Sequence, residues 1–296
     1  MGYTLAIGDR SHSSWSLRGW LLFAKAGIAV KLHSGRLYSE EFAKLLAEFQ
    51  PAQLVPALRL PSGLVIGETL AIAETLAERH PAAALWPDDP DARAMARWLA
   101  AEMHSGFVAL RNHCPMNLRV SYEDCAPPDE VLIDLARIET LWAQARTRFA
   151  NTAESSAAGP WLFGRWSVAD AFFAPVATRI ATYNLPVGPA AQDYTALWLA
   201  DPDFRRWRAK GFAEGPEQPY YRREWARRPW PGPEPLPARP AEGPSVNAAC
   251  PYSGQPVTHM LEFEGRIWGF CNAFCRDKTM FDPEAWPEFI AMVRRH

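Results

Sequence analysis

Gln53-Leu-Val-Pro-Ala-Leu-Arg-Leu-Pro-Ser-Gly-Leu-Val-Ile-Gly-Glu-Thr69 is the stretch on which the fold turns. Two apolar runs, Val55 to Leu60 and Leu64-Val65-Ile66, flank Pro61-Ser62-Gly63 and read as a β-hairpin, because proline and glycine supply the backbone angles of a tight turn. Glu68 to Arg79 follow with helical spacing, and Pro81 ends that helix. Upstream, Tyr3 to Ile7 is a short apolar strand, and polar residues run from Asp9 to Ser14. Trp15 to Gly27 carry apolar side chains at helical intervals with glycine as the stop. Val30-Lys31-Leu32 alternates like a strand, and Ser39 can cap a helix reaching Gln50. The order is βαβ, a helix, then ββα, which predicts a compact α/β domain over residues 1–81.

From 91 to 211 the pattern becomes helical throughout, which predicts an all-α second domain. Val131, Leu135, Ile138, Trp142, Ala145 and Phe149 step by three and four, the spacing of one buried helix face. Ser167-Val-Ala-Asp170 has the form of a capping box, with aspartate in the usual glutamate position. Residues 212–247 read as an extended linker; nine of the chain's 27 prolines fall between 216 and 244. Tyr220, Tyr221, Trp225 and Trp230 predict that this linker lies against the body. A last unit, 248–296, holds Cys250, Cys271 and Cys275. Two thiols four residues apart share one helix face and can reach a single ion.

The chain has 296 residues, 48% apolar, with a formal net charge of −2. That balance argues against nucleic-acid or membrane-surface binding. No apolar run has the roughly 18 residues of a membrane span, and no export signal is visible at the N-terminus. Five cysteines without a signal peptide fit free thiols or metal ligands better than disulfides, and a cytoplasmic location is expected. Cys114 and Cys125 are expected to be inert or surface thiols.

The first two units resemble the cytosolic glutathione transferases, a thioredoxin-like α/β domain followed by a helical one. Three motifs carry the resemblance: Ser11-His-Ser-Ser-Trp-Ser-Leu-Arg18, similar to the serine-type signature of the zeta and theta-like classes; Val55-Pro56, similar to the family's Val-cis-Pro; and Ile66-Gly-Glu-Thr69, similar to its Glu-Ser pair. The resemblance implies a homodimer that takes glutathione and a small electrophilic substrate. It implies that Ser13 is the catalytic serine and Ser14 its neighbour, the alternative being plain capping of the helix. The chemistry is general: a thiol attacks only as thiolate, and a hydroxyl donor at a helix N-terminus favours the anion. Val55 and Pro56 would pair with the cysteinyl backbone, and Glu68 and Thr69 would hold the γ-glutamyl end. Leu54 stands where many relatives carry a polar or basic side chain, leaving Gln53 or His33 to meet the glycine carboxylate. Arg18 reads as half of a structural ion pair. His104, Phe107 and Arg111, with Trp98, are spaced to share or adjoin one face, either lining the second-substrate pocket or packing in the core, and His104 and Arg111 are the polar candidates for steering an acidic substrate.

The tail resembles the TRASH and YHS-type metal modules through its three cysteines, Phe270, and Phe281-Asp-Pro-Glu-Ala-Trp286. That implies a small metal-ribbon-like appendage binding zinc or copper(I), since thiolates select soft ions. With three cysteines, the fourth ligand would be His259, Ser253 or water; a metal-free remnant and a disulfide are the alternatives. The combined expectation is a glutathione-dependent transferase or isomerase. Its rivals are a non-catalytic scaffold of the same fold and a metal-responsive binding protein.

Overall fold

The computed structural model describes residues 2–150 and 159–296. Strands β1 (Tyr3–Ile7), β2 (Val30–Ser34), β3 (Ala57–Arg59) and β4 (Val65–Ile66) form one sheet in the order β2-β1-β3-β4. β1 and β2 run parallel with Leu5 opposite Leu32, and β3 pairs antiparallel with both β1 and β4. A parallel pair needs a crossover, and helix α1 (Ser14–Ala26) supplies it. α1 stops at Gly27, whose φ of 64° is the left-handed angle glycine adopts without strain.

The two faces of β1 enter different cores, as alternation in a strand requires. Leu5 and Ile7 join Leu17, Leu21, Ile72 and Leu76 beneath α1 and α3 (Thr69–Arg79). Ala6 joins Leu45, Phe49 and Ala57 beneath α2 (Glu40–Glu48). Gly19 sets how closely α1 meets the Val55–Pro56 turn: an added Cβ there would lie 2.8 Å from the proline ring. Peptide Val55–Pro56 is cis.

Helices α4 (Pro90–Ser105), α5 (Val108–His113), α6 (Asp129–Ala145), α7 (Val168–Tyr183), α8 (Pro189–Ala200) and α9 (Pro202–Ala213) form the second unit. The expected stripe on α6 is buried from Val131 to Ala145, with Phe149 packed at its end. Every residue of α7 is buried. Its start is the capping box read in the sequence: Ser167 and Asp170 satisfy each other's backbone groups.

The stretch expected to be a linker is only partly one. Arg227–Arg228 (β6) pairs with Ser121–Tyr122 (β5), and Trp225 packs edge-on to Tyr122 and Tyr183 at 5.4 and 5.9 Å. Ala238–Ala241 (β7) is an edge strand of the tail sheet, where Pro240 is tolerated because an edge leaves amides unpaired. That sheet continues with β8 (His259–Phe263) and β9 (Arg266–Phe270), and helices α10 (Ala273–Phe281) and α11 (Pro287–Val293) close it over Leu261, Phe263, Trp268 and Phe289. The tail docks on α9: Phe281 stacks on Phe212 at 4.5 Å, and Arg205 grips Asp282 through two hydrogen bonds of 2.8 and 2.6 Å. Among the described residues no helix is long and apolar enough to cross a membrane.

Candidate functional site

A cleft of about 1080 Å³ opens where the two larger units meet. Three local structures, each foreshadowed by a motif, converge on it. The start of α1 brings Ser13 and Ser14, the cis turn brings Gln53 to Pro56, and the start of α3 brings Glu68 and Thr69.

Ser13 is the N-cap of α1. Its Oγ accepts from the Ser16 amide at 3.2 Å and donates to Ser16 Oγ at 2.7 Å, so the hydroxyl is turned inward. Ser16 Oγ in turn accepts from the Gly8 amide at 2.9 Å, locking the loop. Ser14, half-buried at the first helical position, lines the cleft and has no side-chain hydrogen bond among the described residues. The order of the two serines implied by the resemblance is therefore not the order in which their hydroxyls are available.

Glu68 has φ 59° and ψ 120° and offers α3 no side-chain cap. A non-glycine residue at positive φ is strained, and such strain concentrates at functional positions. Thr69 is fully buried and its hydroxyl has no partner. The Val55 amide and carbonyl take no part in the backbone bonding of the surrounding turns. Leu54 is 73% exposed at the rim, beside Gln53.

The far wall comes from the helical unit. His104 Nε2 meets Glu68 Oε2 at 3.2 Å across the cleft, and its ring packs edge-on to Trp15 at 5.1 Å. Burial lowers the His104 imidazole; Glu68 pulls it up, and Arg18 and Arg111 push it down. Arg111 is fixed by the carbonyls of His104 and Gly106, both at 3.2 Å, and lies over the Trp15 ring at 4.9 Å. Arg179, which sequence reasoning missed, donates to the carbonyls of Cys114 at 2.7 Å and Pro175 at 3.1 Å and lines the cleft. Burial lowers it to about 10. The available signal was a charged residue inside the otherwise apolar run of α7.

Several expectations need correction. Arg18 is not half of an ion pair: it is buried between Trp15 and Phe172, and its Nε and Nη1 have no partner. Burial, with Arg179 and Arg111 nearby, lowers it well below its ordinary value. Phe107 is a buried core residue preceding α5, not a wall of the cleft. His33 lies outside the cleft, against Phe49 and 3.9 Å from Glu48. Trp98 is on the surface, 48% exposed. Cys114 and Cys125 are both buried, which leaves the inert alternative rather than the surface one; the neighbouring Cys125 thiol and burial push Cys114 up.

Sequence reasoning missed His12, which lies within the Ser11–Arg18 motif. It is buried on the cleft wall, and among the described residues neither ring nitrogen has a hydrogen-bond partner. Burial, with Arg119 and Arg36 nearby, pulls its imidazole down to about 4, so it is neutral at pH 7.

In the tail, the sulfurs of Cys250, Cys271 and Cys275 lie within 4.8 Å of one another, and Cys271 and Cys275 are 3.9 Å apart. Asn272 caps α10 by accepting from the Cys275 amide at 2.8 Å, which holds Cys275 one turn from Cys271. His259 lies outside this cluster, and its Nδ1 meets Thr258 Oγ1 at 2.9 Å. Ser253 donates to Cys271 Sγ at 3.3 Å. Burial raises Cys250, but the amides of Cys271, Tyr252 and Ser253 and the Ser253 hydroxyl outweigh it and bring the thiol to about 7. Burial and the Cys250 charge push Cys275 up to about 12.

Comparison with known proteins bears on the cleft. The family model described as the glutathione S-transferase N-terminal domain matches residues 12–79. A maleylacetoacetate isomerase from Rattus norvegicus is 31% identical over 192 residues, covering 61% of this chain and 79% of the relative. A probable maleylacetoacetate isomerase from Caenorhabditis elegans is 39% identical over 103 residues, covering 35% of this chain and 47% of the relative. A glutathione transferase homologue from Burkholderia, solved with bound glutathione, aligns with a TM-score of 0.53 at 23% identity, over 71% of this chain and 98% of that one. That last likeness shows the fold.

Proposed function

The chain belongs to the glutathione S-transferase family, and from that premise we propose that its cleft binds glutathione and presents the thiolate to a small, acidic, conjugated electrophile. The observation that carries this reading is the convergence of Ser14, the Val55–Pro56 turn and Glu68–Thr69 on one cleft whose opposite wall is lined by Arg111 and Arg179. The exposed edge at Val55 suits an added peptide strand, which binds through main-chain hydrogen bonds. Glu68 and the amides at the start of α3 suit a γ-glutamyl group bearing both charges. With Leu54 on the rim, Gln53 is left to meet the glycine carboxylate, so the affinity for glutathione rests on the other end.

The tripeptide sulfur then sits at the N-terminus of α1. Ser14 donates to it, and the helix dipole favours the anion. The thiolate adds to the β-carbon of an activated double bond, and the electron pair moves onto the conjugated carbonyl as an enolate. Arg111 and Arg179 balance that charge and the substrate carboxylate. Rotation about the new single bond and expulsion of the thiolate return the isomerised alkene, with no net redox change. Where a better leaving group is present, it departs instead and the conjugate remains. Maleylacetoacetate isomerase is the activity named for the two relatives described above, which favours isomerisation. The reading includes a cytoplasmic homodimer, as the family resemblance implies.

For the tail we propose a thiolate metal site on Cys250, Cys271 and Cys275. A zinc–sulfur bond of about 2.3 Å in tetrahedral geometry puts sulfurs a little under 4 Å apart, and the 3.9 Å between Cys271 and Cys275 fits. The ion would be zinc or copper(I), with Ser253 or water completing the set. It would cross-link β9, α10 and the Cys250 turn, a structural contribution independent of the cleft.

Two substitutions test the cleft. Ser14→Ala is expected to lower kcat/KM for isomerisation or thiol conjugation by roughly 10- to 100-fold and to raise the pKa of bound glutathione, read from thiolate absorbance in the ultraviolet. Ser13→Ala is expected to act mainly on stability. Equal activity in Ser14→Ala and parent would remove Ser14 from the mechanism. Elemental analysis of the full chain tests the tail: about one soft metal per chain is expected, and none in Cys271→Ser.

A further inference from the structure

The segment leaving the helical unit does not run off the molecule. Residues 214–222 return to the cleft, which Tyr220 and Tyr221 line, and are fastened to both loops beside it. Glu214 forms an ion pair with Arg10 and accepts from the Arg10 amide at 3.1 Å. The Pro216 carbonyl accepts from Arg36 at 3.0 Å. Gln218 Nε2 donates to Asp9 Oδ2 at 3.2 Å and to the Leu37 carbonyl at 3.1 Å, and the Leu37 amide donates to the same Asp9 oxygen at 2.6 Å. From below, Asn117 Nδ2 donates to Glu217 at 2.6 Å and to the Tyr221 carbonyl at 3.3 Å. Ordering an extended segment costs backbone entropy, which these anchors offset, so the segment presents a defined surface.

That surface is aromatic. Tyr221 is buried with its ring 4.5 Å from the unpartnered His12 ring, and its hydroxyl is 3.4 Å from that of Tyr38. Tyr220 and Tyr38 face each other at 6.1 Å and remain 70% and 73% exposed at the mouth. All four line the same cleft as Ser14. Open tyrosine rings beside a buried one are a surface on which a flat π-system gains contact that a saturated group of equal size does not.

We infer that Tyr38, Tyr220 and Tyr221, held by the 214–222 strap, form the stacking wall of the electrophile subsite and select planar conjugated or aromatic groups over saturated ones. This rests on the glutathione reading above and extends it to the group attached to sulfur. His12, neutral beneath Tyr221, supplies a flat base for the wall and a free ring nitrogen for one polar atom of the substrate.

The test uses a matched pair of ligands, S-benzylglutathione and S-(cyclohexylmethyl)glutathione, which share a carbon skeleton and differ in flatness. The full chain is titrated calorimetrically with each and with glutathione itself. The parent is expected to bind the benzyl conjugate about fivefold more tightly than the cyclohexylmethyl one. Tyr221→Leu should bring the ratio to within twofold. The doubly substituted Tyr38→Leu/Tyr220→Leu chain, altered only at exposed positions, should do the same if Tyr221→Leu fails to fold. A parent ratio near one, or a ratio unchanged in the folded variants, would overturn the inference while leaving glutathione binding intact. Failure of all three ligands to bind the parent would overturn the glutathione reading and this inference with it.

Discussion

Among the serine-capped helices of this molecule, α1 and α7 begin very differently. At the start of α7, Asp170 is fully buried and all its neighbours donate to it: the Ser167 amide at 2.9 Å, the Leu162 amide at 3.1 Å, the Ser167 hydroxyl at 3.1 Å and the Tyr194 hydroxyl at 2.9 Å. At the start of α1, Ser13 caps in the same way, but around it the Ser11 hydroxyl, both His12 nitrogens and two Arg18 nitrogens are buried without partners. Buried polar groups are nearly always paired in folded proteins, because an orphan costs about 1–3 kcal/mol. A closed network is a structural element. The cluster around Ser13 is open, and His12 brings it to the cleft wall, where on the proposed function a ligand is held.

The largest effect should come from breaking the closed network. Asp170→Ala leaves two amides and two hydroxyls unsatisfied in the core and should cost about 3–5 kcal/mol in denaturant unfolding. A loss below about 1 kcal/mol would mean that the two caps are not different in kind. His12 gives the next largest effect, through pH. Its folded pKa of about 4 lies below the ordinary value of 6.5, so the unfolded chain binds the proton more tightly. Stability is full above pH 6.5 and falls as pH drops through the window to 4, by about 2 kcal/mol at pH 5. His12→Gln should flatten that part of the profile, and an unchanged profile would place the acid sensitivity elsewhere.

Ser13→Ala sharpens the comparison further. An N-cap is worth about 1 kcal/mol, and a shift of that size in unfolding free energy with kcat nearly intact would assign Ser13 to capping and leave the sulfur to Ser14. Arg18→Met is the smallest effect on stability and the most discriminating. Replacing an unpaired buried cation by an apolar side chain of similar length should leave unfolding free energy unchanged or raised, while KM for an acidic electrophile rises several-fold. A large destabilisation would show that the guanidinium is satisfied structurally after all.

The first two units were legible because each motif controls local structure: Pro61-Ser62-Gly63 turns and Gly27 stops α1 in the α/β unit, and the α6 stripe buries one face in the helical unit. The α/β wall of the cleft was legible for the same reason, since Ser13, Val55-Pro56 and Glu68-Thr69 lie at the ends of those elements. On the helical wall His104 and Arg111 were legible and the rest was not. Arg179 reaches the cleft from the middle of a wholly buried helix, and Tyr221 arrives by the path of a strap that periodicity cannot trace. Phe107 and His33 matched a spacing, but which way each side chain faces was decided by tertiary packing. The three tail cysteines were legible as a group, whereas the exclusion of His259 followed from the register of β8 against β9.

The central claim is that the cleft ionises a thiol, and proton release on binding tests it most directly. Glutathione should be titrated into the full chain at pH 7 in buffers of different ionisation enthalpy, with S-methylglutathione as the control that has no thiol proton. Release approaching one proton per site with glutathione and none with the S-methyl form is the expected result. Equal release from both ligands, or no heat from either at millimolar concentration, would contradict the account.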